Sequence, residues 1–205
     1  MARPDLVGLT VGAPGFSSAL AIITAEDQVS GRDPGTWAPK KKTTWEMCIL
    51  RSFPPRTPIA AIAGAILTLH RGYVALFRES SWQPDAKRFG YVTIDRGRTS
   101  EVARGLWDHL RGRGISLRCS PIVEETTTQI PCIRREDLLI RLHRGVDEGT
   151  LNVPKSYSDA HDHLLRIDTQ QQWRVADNDY LAAAIALSYW WAPVPPVGER
   201  PGSIL

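Results

Sequence analysis

The stretch Tyr91-Val92-Thr93-Ile94-Asp95-Arg96-Gly97-Arg98-Thr99-Ser100-Glu101-Val102 decides the fold. Its aromatic and β-branched start predicts a strand over 91–95 that ends on a carboxylate. Arg96-Gly97-Arg98 supplies a polar turn, and Thr99 or Ser100 offers a hydroxyl to cap the helix that follows. Val102, Ala103, Leu106, Trp107 and Leu110 recur at helical spacing, and Arg111-Gly112-Arg113-Gly114 stops that helix. A second strand over 115–123 completes a strand–helix–strand unit, and a crossover helix between two strands favours parallel pairing.

Upstream, residues 6–11 and 18–24 predict two strands joined through Gly12-Ala13-Pro14-Gly15, hence a hairpin. Residues 28–43 are polar and contain Lys40-Lys41-Lys42, which predicts an exposed basic loop before a third strand over 44–51. Thr57 and Pro58 stand at the N-cap and first position of a helix whose apolar face is Ile59, Ile62, Ala63, Ile66 and Leu67. Residues 73–89 predict an insertion, with a short strand over 73–77 and a loop over 80–87. Downstream come a helix over 135–146 with Leu138, Leu139 and Leu142 on its inner face, an extended piece over 151–154, a helix over 158–170, and an apolar helix over 179–191. Residues 193–205 form a Pro/Gly-rich tail. The expectation is one α/β domain over 1–192, with a mixed central sheet of three antiparallel strands followed by parallel ones, flanked by helices.

Composition narrows the class. A chain of 205 residues with 42% hydrophobic content can bury one sizeable core and is short for two. With 25 Lys and Arg against 22 Asp and Glu, it permits a polyanionic partner without the charge excess of a dedicated DNA-binding domain. Cys48, Cys119 and Cys132 form no Cys-x-x-Cys pair and are expected as buried thiols in a reducing compartment. No apolar run approaches the ~18 residues of a membrane span, and no leader pattern opens the chain, so a soluble cytoplasmic protein is expected.

Three passages carry a resemblance to the C-terminal nuclease domain of viral large terminases, which has the RNase H-like fold. The passage from Tyr91 to Val102, with its helix ending in Leu110-Arg111-Gly112-Arg113-Gly114-Ile115, looks like the family's acidic strand end, turn and helix. The helix over 135–146 followed by Glu148-Gly149-Thr150-Leu151-Asn152-Val153-Pro154 resembles its "helix, then Gly-x-Leu-x-Ile-Pro" passage. Asp177-Asn178-Asp179 followed by Tyr180-Leu181-Ala182-Ala183-Ala184 is similar to its closing His-Asp-Asp and Ala/Leu-rich helix. The chain departs from the pattern where the family's first strand carries an aspartate, which here is Thr10. In the closing motif Asp177 replaces the histidine and Asn178 the first aspartate.

The resemblance implies a metal-dependent endodeoxyribonuclease acting on double-stranded DNA during viral DNA packaging, in the host cytoplasm. Such enzymes hold two Mg2+ or Mn2+ ions on a carboxylate cluster. Asp95 and Asp179, with Asp177, are the implied catalytic and metal-ligating residues. Without the first-strand aspartate, activity is expected to be reduced, or the module is an inactive RNase H-like domain that binds DNA or packaging proteins. From position alone, Asp95 is equally an aspartate satisfying its own turn, and Asp177 and Asp179 equally cap the last helix. Asp5, Glu26 and Asp27 lie too far along their strands to replace the missing acid, whereas Glu79 and Asp85 fall in the unassigned segment.

Other motifs are weaker. No Gly-x-x-x-x-Gly-Lys-Ser/Thr sequence is present, so in this reading an ATPase motor lies on another chain or on a part of the polypeptide outside this sequence. His161 and His163 are two apart, so they do not share a helix face and a metal site there is disfavoured. Lys40-Lys41-Lys42 with Trp37 and Trp45 has either a solvated face or a DNA backbone contact as its reading.

Overall fold

The computed structural model describes residues 5–12, 15–79, 91–95, 100–120, 122–123, 133–158 and 180–193. Strands β1 (Leu6–Thr10), β2 (Ser18–Arg32) and β3 (Pro39–Phe53) come first and are followed by helix α1 (Ile59–Glu79). Then come β4 (Tyr91–Asp95), α2 (Ser100–Leu110), β5 (Ser116–Ser120), β6 (Ile122–Val123), β7 (Ile133–Arg134), α3 (Arg135–Asp147), β8 (Leu151–Asn152) and α4 (Tyr180–Trp190).

One sheet has the order β5-β4-β1-β2-β3-β8, and β6 and β7 form a separate parallel pair. The β1–β2 and β2–β3 pairs are antiparallel, whereas β1–β4, β4–β5 and β3–β8 are parallel. This is the mixed sheet expected from the sequence.

Strand alternation splits the core into two layers. Val7, Leu9, Leu20, Ile22, Val92 and Ile94 pack against Ile62, Ala63 and Ile66 of α1 and Ala103, Leu106 and Leu110 of α2. Ala19, Ala21, Ile23, Trp45 and Met47 meet α3 and α4 on the opposite face. Every residue of α4 from Leu181 to Tyr189 is buried, as befits a helix that is apolar all round.

Two glycines set how closely α4 is approached. A Cβ at Gly8 would stand 2.1 Å from the Ala184 carbonyl oxygen and 2.4 Å from the Ser188 nitrogen, so β1 touches the helix backbone itself. A Cβ at Gly145 of α3 would meet the Tyr189 ring at 2.5 Å. Arg141 then donates from Nη2 to the Ala192 carbonyl and from Nε to the Tyr189 carbonyl at 3.3 Å, giving carbonyls at and just past the end of α4 a cationic partner.

The structure departs from the sequence expectations in several places. Residues 28–32 and 39–42 are exposed, as expected, but with Thr43, which is half-buried, they form a paired ladder rather than a loop. Backbone hydrogen bonds pair such a ladder, and the few side-chain bonds that join them are polar, so it leaves no hydrophobic alternation to read. Residues 73–77 belong to α1, not to a strand: no proline or glycine interrupts Tyr73 to Glu79, and the helix runs on. The Thr57 hydroxyl donates to the Pro54 carbonyl at 2.7 Å instead of capping α1. Cys48 is exposed, because the register shift between Ile22 and Ile23 makes it the extra residue of a bulge in β3. The side chains of Cys119 and Cys132, the helix expected over 158–170, His161 and His163, and the tail beyond Pro193 lie outside the described residues. Among the described residues no helix is long and apolar enough to cross a membrane.

Candidate functional site

Three chain segments end together on one rim of the sheet. The parallel pairing of β1 and β4 runs Val7–Val92, Gly8–Thr93 and Leu9–Ile94. One step further along each strand stand Thr10 and Asp95, so the C-terminal ends of two neighbouring strands bring these two positions side by side. Asp95 is paired on its other flank with Ser120 of β5. Carboxyl ends of parallel strands are where open α/β sheets bind ligands.

The third segment is the start of α4. The Thr10 hydroxyl donates to the Tyr180 carbonyl oxygen at 2.8 Å; its 3.5 Å approach to the Ala19 carbonyl is marginal by comparison. Thr10 is itself buried and the bond is part-buried; it ties the end of β1 to the first turn of α4. Behind it the rim is closed by Gly12, whose N–H donates to Ser18 Oγ at 3.1 Å, and by Ser52, whose hydroxyl donates to the Tyr180 phenol oxygen at 3.3 Å.

Strand β1 thus sits between antiparallel β2 and parallel β4, with the tip of β4 beside it and a buried helix crossing its face. The fold is RNase H-like. The structure is similar to the large terminase nuclease of thermophilic phage G20c, with a TM-score of 0.49 and 16% identity over 92% of this chain and 82% of that one. It is similar to the large terminase nuclease domain of bacteriophage SPP1 with bound Mn, at a TM-score of 0.48 and 9% identity over 92% and 86%. It is also similar to the manganese-soaked terminase nuclease domain of human cytomegalovirus, at 0.47 and 12% over 91% and 82%. No protein-family model and no curated protein matches the sequence.

Of the three acids expected to hold metal, the backbone of Asp95 is at the rim. Asp177 and Asp179 lie outside the described residues, although Asp179 immediately precedes Tyr180 in the chain. Asp5 is buried at the opposite end of β1, before Leu6, and Glu26 and Asp27 pair with Thr44 and Thr43 far along β2. None of these three reaches the rim, in keeping with the expectation that no nearby acid on the first strands replaces an aspartate at Thr10. Glu79 is the last residue of α1, and Asp85 lies outside the described residues.

The donor set can be tested against a divalent cation. Among the described residues no three His, Cys, Asp or Glu side chains cluster as metal ligands. The rim has one carboxylate-bearing position, Asp95, beside an uncharged threonine whose only proton is already given to a carbonyl. Hard cations demand several oxygen ligands with compensating charge. Among the described residues this rim offers a single carboxylate position, which by itself falls short of a divalent cation's ligand set.

The bond from Thr10 to Tyr180 is the feature sequence reasoning missed. It spans 170 positions, and a threonine on a buried strand carries no mark of which distant carbonyl it will meet. Its position was nonetheless marked, as the place where a carboxylate was expected.

Proposed function

We propose that the chain is a metal-dependent DNA endonuclease domain of the large-terminase kind, with activity reduced by the threonine at position 10. The observation that carries the reading is the convergence of Thr10, Asp95 and Tyr180 on one rim. In this reading Asp95 and Asp179, with Asp177, hold a magnesium or manganese ion. The substrate is double-stranded DNA, in the host cytoplasm, and the partners are packaging proteins and an ATPase motor carried on another chain or on another part of the polypeptide.

A bound ion would polarise the scissile phosphate and acidify an attacking water. The chain's own contribution is positional. Asp95 ends β4, which pairs with β1 as far as Ile94 and with β5 through Asp95 itself, and the Thr10 hydroxyl holds the first turn of α4 against the end of β1. Tyr180, which Asp179 immediately precedes in the chain, is thereby tethered to the rim that carries Asp95.

A second reading is favoured by the same threonine. Its hydroxyl serves the fold, not a cation, and the position supplies no negative charge, which suits a module that keeps the fold and binds DNA or packaging proteins without cutting.

Supercoiled plasmid incubated with the protein and Mn2+ or Mg2+, beside Asp95→Ala and Asp179→Ala, separates the two. Metal-dependent nicking by the wild type that both variants lose supports the nuclease. No nicking with either metal, together with no metal-induced thermal shift, supports the silent module. Thr10→Asp sharpens the test: its carboxylate faces the Tyr180 carbonyl oxygen, so the variant is expected to melt below wild type without metal, to regain stability with Mn2+, and to nick faster. If Mn2+ neither restores its stability nor speeds nicking, the rim is not a metal site.

A further inference from the structure

We infer that the outer half of the β2–β3 hairpin is an arm that grips the phosphate backbone of duplex DNA at a distance from the rim. The inference extends the nuclease reading, from which it takes DNA as the polyanion, and it has its own test.

The geometry of the arm comes from the ladder. Ala19 of β2 pairs with Thr10, so β2 begins at the rim and runs away from it. The partners of β1 end at Ile23, and the β3–β8 pairing stops at Trp45, yet the β2–β3 ladder continues to Arg32–Pro39. Beyond Glu26 every residue of β2 is exposed, and so are Pro39 to Lys42. From Ala19 to Gln28 the strand covers about 30 Å at ~3.3 Å per residue. Charges that far away are screened from Asp95, since the Debye length is about 8–10 Å in physiological salt. The arm's lysines therefore do not serve the rim.

What the arm carries is cationic. From Gln28 to Lys42 it presents Arg32, Lys40, Lys41 and Lys42 against one acid, Asp33. Glu26 and Asp27 lie at its base, where Asp27 accepts from the Thr43 hydroxyl at 2.8 Å. The register distributes the positive charge over both faces: Lys42 opposes Gln28 and Lys40 opposes Gly31 on one, while Lys41 opposes Val29 and Arg32 opposes Pro39 on the other. At the tip Trp37 is 72% exposed, with its backbone at φ 57°, and the Arg32 guanidinium lies 6.0 Å from its ring.

That tip is an ordered presentation. Asp33 Oδ1 accepts from the Gly35 and Thr36 N–H groups at 2.9 and 3.0 Å. The Trp37 N–H donates to the Asp33 carbonyl, and the Asp33 N–H to the Ala38 carbonyl, both at 2.8 Å. A folding core would bury a tryptophan, as it does Trp45 at 3% exposure. Here a structured turn holds one out in water among cations. Duplex DNA offers one negative charge per ~1.7 Å of axis, and its major groove, about 12 Å wide, admits a two-stranded ribbon. A ribbon with cations on both faces and an aromatic plane at its end matches that target.

The test is binding of the full chain to a fluorescein-labelled 30-base-pair duplex in EDTA, by anisotropy across 50–200 mM salt. The variants are Lys40→Gln/Lys41→Gln and Trp37→Ala. Lys42 is left in place because its ammonium donates to the Glu148 carbonyl at 3.2 Å. The lysine pair variant is expected to bind about tenfold more weakly at low salt, with a salt slope about 1.8 shallower, at ~0.9 for each phosphate no longer neutralised. Trp37→Ala, which removes an apolar groove contact and no charge, is expected to lose about fivefold with its slope unchanged. Wild-type thermal midpoints in both variants, all of whose positions are exposed, exclude a folding defect. Variants that bind with wild-type affinity and slope overturn the arm, as does a wild type that does not bind the duplex. Plasmid nicking is scored separately: a protein that never nicks but loses duplex affinity with the arm variants retains the arm and loses the nuclease reading.

Discussion

The two ends of the β2–β3 ladder are built from the same pairing and do opposite things. At the rim end, Ala19 and Leu20 are fully buried, Thr10 is bonded to α4, and a backbone glycine is all that fits under the helix. At the arm end, side chains from Glu26 to Arg32 face water, and one tryptophan is held out on a hydrogen-bonded turn. The contrast teaches that strand pairing alone fixes neither role. Burial makes the rim intolerant of change, and exposed charge leaves the arm free to recognise.

The largest expected effect is at Gly8. An alanine there must displace the backbone of α4 at Ala184 and Ser188, neither of which is a flexible side chain, so Gly8→Ala is expected to lose about 3 kcal/mol or more in chemical denaturation. Lys41→Ala on the arm, an exposed position, is expected to stay within about 0.5 kcal/mol of wild type. Equal costs at the two positions would erase the distinction between the ends.

Next in size is Thr10→Val. Removing the hydroxyl leaves the Tyr180 carbonyl without that donor at a buried position, an expected loss of about 1–2 kcal/mol. Thr10→Ser keeps the donor and is expected to fall between valine and wild type, having lost only the methyl group. A valine variant as stable as wild type would remove the threonine's structural role and reopen its position to a catalytic one.

How much of this was legible in the sequence follows the same division. The unit from Tyr91 to Ser120 was readable because its apolar residues recur at the period of the elements they form, and the helix after Asp179 because it is an unbroken Ala/Leu-rich apolar run. The place of Thr10 was readable too, since the hairpin turn fixes where β1 stops. The ladder from Gln28 to Lys42 was not. Its residues are polar on both faces, and cross-strand amide bonds are silent in any side-chain pattern. Trp37 and Trp45, weighed together in sequence as one basic-aromatic cluster, part company because Trp45 faces the core across from Ala25 whereas Trp37 caps the arm. At the site itself, Asp95 was readable as a strand-end carboxylate, but the coupling of Thr10 to Tyr180 depends on tertiary approach that no local spacing encodes.

The smallest expected effect probes whether the arm's tip is organised by its own chemistry. The Thr36 and Gly35 N–H groups that donate to the Asp33 carboxylate hold its pKa below the ordinary 3.8. Hydrogen bonds to the charged form favour that form. A carboxylate whose folded pKa is depressed contributes its stabilisation above 3.8 and loses it as pH falls through the lower folded value. The tip is therefore fully organised at neutral pH and loosens only in acid, while the core end of the ladder stays paired. The amide proton shifts of Gly35 and Thr36 should titrate together with a midpoint below 3.8, and Asp33→Ala should abolish that titration while leaving the amides of Ala19 to Ile23 unmoved. A midpoint at or above 3.8 would mean the carboxylate does not hold the turn, and the exposed Trp37 would then be the end of a slack loop instead of a fixed contact.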